Sequence, residues 1–295
     1  MCWGSNDYGQ LGNGLSNNEY SRCVPQCSGD RPADTFGNDS AYPVYVNFTG
    51  SEEPIAIGLA LDSSCALMDT GEIQCWGRYD LMGEGYGAGI FPTDCGCQKS
   101  PRTVGNLTTS SLTVSVPDRD YDNDGVINIH DIQRSRSSTV AMGGQHSCAI
   151  LDNDDLYCWG SNMGYRYGQL GDLNGGTGIP GWNSGEYHRG PVRALLPGNL
   201  TAVSVAAGWE HTCAILSDES IYCWGRNDRG QLATGNTTDT MVPHKVTLPT
   251  GLSPWHIEAG EYSTCALLSD SSVYCWGGND NYRLGIGSSN QSDRL

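Results

Sequence analysis

The stretch Cys213-Ala214-Ile215-Leu216-Ser217-Asp218-Glu219-Ser220-Ile221-Tyr222-Cys223-Trp224-Gly225 decides the fold. Two short apolar runs flank Ser217-Asp218-Glu219, three residues suited to a tight turn, so the segment reads as a β-hairpin. In the register closed by a three-residue loop, Cys213 and Cys223 stand directly opposite each other. Opposed positions in an antiparallel pair hold their Cβ atoms roughly 4.5–5.5 Å apart, close to disulfide range after a small local adjustment. The same spacing recurs at Cys65 and Cys75, at Cys148 and Cys158, and at Cys265 and Cys275. Four repetitions at one register point to four disulfide staples, with buried reduced cysteines as the alternative.

Outward from the hairpin, its second strand ends in Cys-Trp-Gly, which occurs at 2–4, 75–77, 158–160, 223–225 and 275–277. Successive copies are 73, 83, 65 and 52 residues apart, so the last spacing approximates the bare unit and the others carry insertions. Downstream, Gly4-Ser5-Asn6-Asp7-Tyr8-Gly9-Gln10-Leu11-Gly12 is echoed by Gly168-Gln169-Leu170-Gly171 and by Gly225 to Leu232. The composition agrees: 40 Gly and 13 Pro with few long apolar runs imply many short elements and tight turns. The chain is expected to be all-β, one repeat domain over 1–295. Its units lie near 1–74, 75–157, 158–222, 223–274 and, in part, 275–295. The tryptophans of Cys-Trp-Gly are expected in the core of each unit.

The run Ala207-Gly208-Trp209-Glu210-His211-Thr212-Cys213-Ala214-Ile215-Leu216, followed by Cys223-Trp224-Gly225 and Gly230-Gln231-Leu232, resembles the regulator of chromosome condensation repeat. It is similar above all to secreted versions of that repeat whose hairpins carry paired cysteines. The resemblance implies a β-propeller-like array of four-stranded blades, about five here or part of a seven-bladed propeller. The chain begins on the second strand of a hairpin, so Cys2 has no cysteine ten residues before it. An open propeller edge of that kind would present unpaired backbone groups to a neighbouring chain.

Other cysteines fall in the insertions, Cys23 and Cys27 in one unit and Cys95 and Cys97 in the next. Their offsets from Cys2 and Cys75 are equivalent, which places them on one face of adjacent units. Cross-links between the two insertions are the expectation, since a Cys95–Cys97 bond would strain the backbone. A zinc tetrad is the alternative. The next insertion, Asp118 to Asp131, has a calcium-loop pattern. Asp120, Asp122 and Asp124 occupy loop positions 1, 3 and 5, Gly125 permits the sharp turn and Val126 offers its carbonyl. Asn128 and Asp131 fall at positions 9 and 12. The loop resembles those of dockerins and thrombospondin type 3 repeats and is expected to hold a structural Ca2+; a solvated acidic loop is the alternative.

The charge balance narrows the function. With 33 acidic and 16 basic residues and a net charge of −17, the chain lacks the concentrated Lys and Arg that phosphate binding needs, so no nucleic-acid partner is expected. No apolar run reaches the roughly 18 residues of a membrane-spanning helix. The 13 cysteines point to an oxidising compartment. Six N-x-Ser/Thr sequons, at Asn38, Asn47, Asn106, Asn199, Asn236 and Asn290, exceed the roughly three that chance would give and mark expected N-linked glycans. Met1 is followed directly by Cys2-Trp3-Gly4, so no signal peptide is present and the chain reads as mature or truncated.

No catalytic motif accompanies these features. His146 and His211 share one repeat position, where the other units have Ser63 and Ser263, which marks scaffold rather than chemistry. There is no G-x-S-x-G, no phosphate-cradling glycine loop before a helix and no H-E-x-x-H. Relatives in the resembled family include a nuclear exchange factor, a plant ultraviolet-B photoreceptor and a secreted β-lactamase inhibitor. The photoreceptor role needs tryptophan at a site that Trp209 alone occupies here, Leu61, Gly144 and Glu261 taking the equivalent places. The expectation is therefore a non-enzymatic structural or adhesive repeat protein, extracellular or at the cell surface. It would be a glycosylated subunit binding copies of itself head to tail. The alternative is a secreted propeller module that binds protein or glycan as an inhibitor or receptor.

Overall fold

A computed structural model describes residues 2–4, 40–44, 46, 48, 54–59, 63–68, 72–78, 97–103, 140–151, 154–161, 167–172 and 187–286. The expected calcium ligands Asp120, Asp122, Asp124, Val126, Asn128 and Asp131 lie outside these residues. So do Cys23, Cys27 and Cys95, and the sequons at Asn38, Asn47, Asn106 and Asn290.

The described residues are all-β apart from one 3-10 turn at Asp280–Tyr282. Strands β3 (Pro54–Leu59), β4 (Ser63–Met68), β5 (Ile73–Arg78) and β6 (Cys97–Thr103) form one antiparallel sheet in sequential order. A second sheet holds β7 (Val140–Met142), β8 (His146–Ile150), β9 (Leu156–Ser161) and β10 (Tyr187–Arg193). A third holds β11 (Ala202–Ala207), β12 (His211–Leu216), β13 (Ile221–Gly225) and β14 (Thr240–Lys245), and a fourth β15 (Pro254–Ala259), β16 (Ser263–Leu268) and β17 (Val273–Gly277). At the other end of the chain β1 (Cys2–Gly4) pairs with β2 (Ser40–Val44).

The register of each hairpin follows the cysteines. Cys213 faces Cys223 and Ile215 faces Ile221, and the turn between is Ser217-Asp218-Glu219. Disulfides close all four hairpins: Cys65–Cys75, Cys148–Cys158, Cys213–Cys223 and Cys265–Cys275. The glycine of Cys-Trp-Gly ends the third strand because of its backbone. Gly160, Gly225 and Gly277 have φ of +106°, +107° and +102°, and a Cβ on Gly225 would stand 2.6 Å from the Glu210 carbonyl oxygen. Only glycine tolerates that conformation without strain.

The repeat units counted from one Cys-Trp-Gly to the next are out of phase with the sheets. The marker lies on the third strand, so each such unit holds the outer half of one sheet and the inner half of the next. The β1–β2 pair shows this at once. Its register, Cys2 to Val44 and Gly4 to Ser40, repeats that of Cys223 to His244 and Gly225 to Thr240. These two strands correspond to the third and fourth strands of the four-stranded sheets.

Consecutive sheets stack through their first two strands: β7 lies on β3 and β4, β11 on β7 and β8, and β15 on β11 and β12. The core lies between sheets rather than within them. Each sheet turns a trailing face toward the next sheet and a leading face toward the one before. Cys148, Ile150, Leu156 and Cys158 of one trailing face pack with Val205, Ala214, Leu216 and Trp224 of the next leading face. Cys213, Ile215, Ile221 and Cys223 likewise meet Ile257, Ala266, Leu268 and Trp276. Cys65, Leu67, Ile73 and Cys75 meet Val140, Met142, Ala149 and Trp159. Trp76, Trp159, Trp224 and Trp276 are all fully buried, the last three at inter-sheet contacts. Trp76 meets the edge of Phe48 at 5.7 Å and 88°.

Candidate functional site

The antiparallel order of each sheet brings two loops to one end: the loop joining its first and second strands, and the loop that follows Cys-Trp-Gly. Asn227 fixes the second of these. Its side-chain amide donates to Thr234 Oγ1 at 2.9 Å and to the carbonyls of Asn236 and Thr238 at 3.0 Å. Its Oδ1 accepts the Leu232 backbone N–H at 3.0 Å. Asn279 repeats the last bond in the next sheet, accepting Leu284 N–H at 3.1 Å. A fully bonded buried amide of this kind sets one loop conformation. It thereby aims the residues on either side, Arg226, Asp228 and Arg229.

Arg226 is the centre of the resulting cluster. Its guanidinium donates to Glu210 at 2.5 Å and to Asp228 at 2.6 Å, and it lies 5.3 Å from the ring centres of both Tyr167 and Tyr262. Burial opposes its charge, but the hydrogen bonds to Asp228 and Glu210 outweigh that and hold its pKa above the usual arginine value. Arg229 and Arg283 approach the same Tyr262 ring at 5.9 Å. Arg283 also pairs with Glu261 at 3.5 Å and Arg229 with Asp280 at 3.7 Å. Burial, then the neighbouring Glu261 carboxylate, raises the Tyr262 phenol pKa, so the ring stays neutral and available to the cations. Trp209 lies against Gly144 of the preceding sheet, where a Cβ would come within 2.9 Å of its indole.

Beneath this surface the recurring spacing of the repeat serves a different purpose. His146 Nε2 bonds Thr212 Oγ1 of the next sheet at 2.7 Å, and Thr212 donates its hydroxyl hydrogen to the Gln169 carbonyl at 2.7 Å. The Trp224 indole N–H donates to that same carbonyl at 3.0 Å. One sheet later His211 Nε2 bonds Thr264 at 3.0 Å, Thr264 donates to the Gln231 carbonyl at 3.1 Å, and Trp276 donates to it at 2.9 Å. Since each threonine gives its hydrogen to a carbonyl, each histidine must carry its hydrogen on Nε2. Burial lowers the pKa of His211 to about 4. It lowers that of His146, with help from His211, to about 3. Both imidazoles are neutral at physiological pH and sealed from solvent, so neither can act as an acid or base toward a ligand.

The arrangement suits non-covalent recognition. Arginine and tyrosine are the side chains that dominate protein interfaces, and here they stand on loops fixed by Asn227 and Asn279, with carboxylates between them. Among the described residues no group of three His, Cys, Asp or Glu is placed to hold a metal ion, and no helix is long and apolar enough to cross a membrane. The residues singled out from sequence are brought together only in part. The four cysteine pairs are joined, and His146 and His211 are scaffold on adjacent sheets. Cys97 starts β6 and Cys2 starts β1, while Asn199 and Asn236 lie exposed. The Arg226 cluster was not singled out. Its signal was the arginines at 226, 229 and 283, gathered after Cys-Trp-Gly in a chain of only 16 basic residues.

Comparison with known proteins agrees with the architecture. Residues 138–169, 202–231 and 256–283 match the regulator of chromosome condensation (RCC1) repeat, and 218–267 match a second description of it. The ultraviolet-B receptor UVR8 of Arabidopsis thaliana is 26% identical over 330 residues, covering 97% of this chain and 62% of that protein. The guanine nucleotide exchange factor SRM1 of Saccharomyces cerevisiae is 24% identical over 336 residues, covering 97% of this chain and 67% of that one. The crystal structure of human WBSCR16 superposes with a TM-score of 0.65 at 18% identity, over 99% of this chain and 60% of that structure. The chain thus spans about three fifths of two of these proteins. It carries RCC1 repeats in a propeller-like array whose hairpins are closed by disulfides.

Proposed function

We propose that this chain is a non-enzymatic binding propeller of an oxidising, extracellular setting, and that it engages a protein partner through the loop end bearing Arg226, Arg229, Arg283 and Tyr262. The observation that carries this is the cluster itself. Three arginines converge on one tyrosine ring, each paired with a carboxylate, on loops fixed by Asn227 and Asn279. Such a surface is pre-organised, so little ordering entropy opposes binding. The relatives are named for reception and for nucleotide exchange, which supports recognition over catalysis. Four disulfides support an oxidising compartment. Within this reading the exposed Asn199 and Asn236 carry glycans. The 118–131 insertion, read from sequence alone, binds a structural Ca2+; thermal stabilisation by calcium that survives Asp120→Ala with Asp124→Ala would contradict that part.

The test uses the oxidised chain against panels of secreted proteins and glycans. Once a partner is found, Arg229→Ala with Arg283→Ala should weaken binding by about tenfold or more, the effect of losing about 1.4 kcal/mol of interface energy. Lys245→Ala, at the opposite end of the sheets, should leave it unchanged. Equal binding by the arginine variant, or loss only with Lys245→Ala, would overturn the assignment.

A further inference from the structure

Three junctions lie between described sheets, and each encloses the staple of its earlier sheet: Cys65–Cys75, then Cys148–Cys158, then Cys213–Cys223. The second and third junctions are also latched by hydrogen bonds. His146 reaches Thr212 and His211 reaches Thr264, and each threonine shares a carbonyl acceptor with the indole of its own sheet. The first junction has Ser63 in place of the histidine and Ser147 in place of the threonine. These serines are 0% and 1% exposed, and neither hydroxyl has a hydrogen-bond partner among the described residues. The difference reaches the backbone as well. A Cβ on Gly143 or Gly208 would press against the imidazole three residues later, so histidine requires glycine there. Three residues before Ser63 the sequence has Ala60.

We propose that the first junction is the joint at which the array opens, and that it gates the Cys65–Cys75 disulfide as a redox-sensitive bond. Apolar packing holds all three junctions alike. Leu67 and Ile73 meet Val140 and Leu151 at the first, as Ile150 and Leu156 meet Val205 and Leu216 at the second. The difference between them is therefore polar. Opening the second or third junction breaks the histidine–threonine bond and the bonds to the shared carbonyl. Opening the first admits water to two buried hydroxyls that have no described partner when it is shut, which lowers the cost of the open state. The group uncovered is the staple itself, which is fully buried in the shut joint. A dithiol that reaches it attacks one sulfur, passes through a mixed disulfide and leaves as its own disulfide, with Cys65 and Cys75 released as two thiols. The loop end takes no part, so failure of the binding assignment above leaves this inference standing.

The test is reduction of the full oxidised chain by dithiothreitol under native conditions, quenched by alkylation at intervals and read by mass spectrometry. Each of the three buried staples reports the opening of its own junction. Cys65–Cys75 should be reduced about tenfold faster or more than Cys148–Cys158 and Cys213–Cys223, the weight of one unsatisfied buried hydroxyl. Two sets of substitutions then separate the latch from other causes. Ala60→Gly with Ser63→His and Ser147→Thr installs the latch, and should slow Cys65–Cys75 to the rate of the other two. His146→Ser with Thr212→Ser removes it from the second junction, and should speed Cys148–Cys158 by about tenfold. The second variant keeps the test decisive should the first fail to fold. Reduction of the three staples at one rate overturns the proposal. So does a Cys148–Cys158 rate that stays unchanged in the second variant, because the latch then does not hold the junction shut.

Discussion

His211 is wholly buried, with Nε2 on Thr264 and its ring so close to Gly208 that a Cβ there would stand 2.4 Å from Nδ1. Two consequences follow at the scale of single residues. The first concerns pH. Above the ordinary imidazole pKa of 6.5, folded and unfolded histidines are both neutral and stability is unaffected. Between 6.5 and about 4 for His211, or about 3 for His146, the unfolded chain takes up a proton that the folded one does not. Stability therefore falls as pH falls, by up to about 1.4 kcal/mol per pH unit for each histidine. Denaturant unfolding at several pH values should show a shallower loss below pH 6.5 for His146→Ser with His211→Ser; an unchanged slope would contradict the assignment. The second concerns Thr264. Thr264→Val keeps the shape but removes the hydroxyl shared by His211 Nε2 and the Gln231 carbonyl, and should cost about 1–3 kcal/mol in the same measurement.

At the scale of elements the hairpin is the unit. Its turn places non-glycine residues in the left-handed region: Glu219 at φ +57° and Ser271 at φ +68°. Ser271→Gly should relieve that conformation and, after the extra entropy of glycine, raise stability by about 0.5–1 kcal/mol in thermal or denaturant unfolding. Burial also ranks the staples. Cys65–Cys75, Cys148–Cys158 and Cys213–Cys223 are covered by the following sheet, while Cys265–Cys275 is half-buried. Limited reduction followed by alkylation and mass spectrometry should therefore label Cys265 and Cys275 first. The hairpins were legible in the sequence because paired short apolar runs, a three-residue turn and opposed cysteines all specify one register. The stacking was not, because Cys-Trp-Gly looks like the edge of a unit although it sits on a third strand. Trp224 shows the cost of that: its ring packs on the preceding sheet, and its indole N–H reaches Gln169, 55 residues earlier. No local pattern encodes such a contact. The Arg226 cluster was equally hidden, since Tyr167, Glu210 and Tyr262 come from three separate loops.

At the scale of the whole molecule, the described array is a stack of disulfide-closed hairpins in which the first three staples each pack against the tryptophan of the next sheet. This accounts for the spacing of the cysteines and the burial of Trp159, Trp224 and Trp276. It also separates the scaffold from the proposed recognition surface. Histidine, threonine and tryptophan bind sheet to sheet below, and arginine, tyrosine and carboxylate face outward above. The central claim is that the ten-residue cysteine spacing is a closed hairpin at each of its four occurrences. A peptide map of the non-reduced protein tests it most directly. The account predicts linked peptides for Cys65–Cys75, Cys148–Cys158, Cys213–Cys223 and Cys265–Cys275. Free thiols at these positions, or any linkage between cysteines of different hairpins, would contradict it.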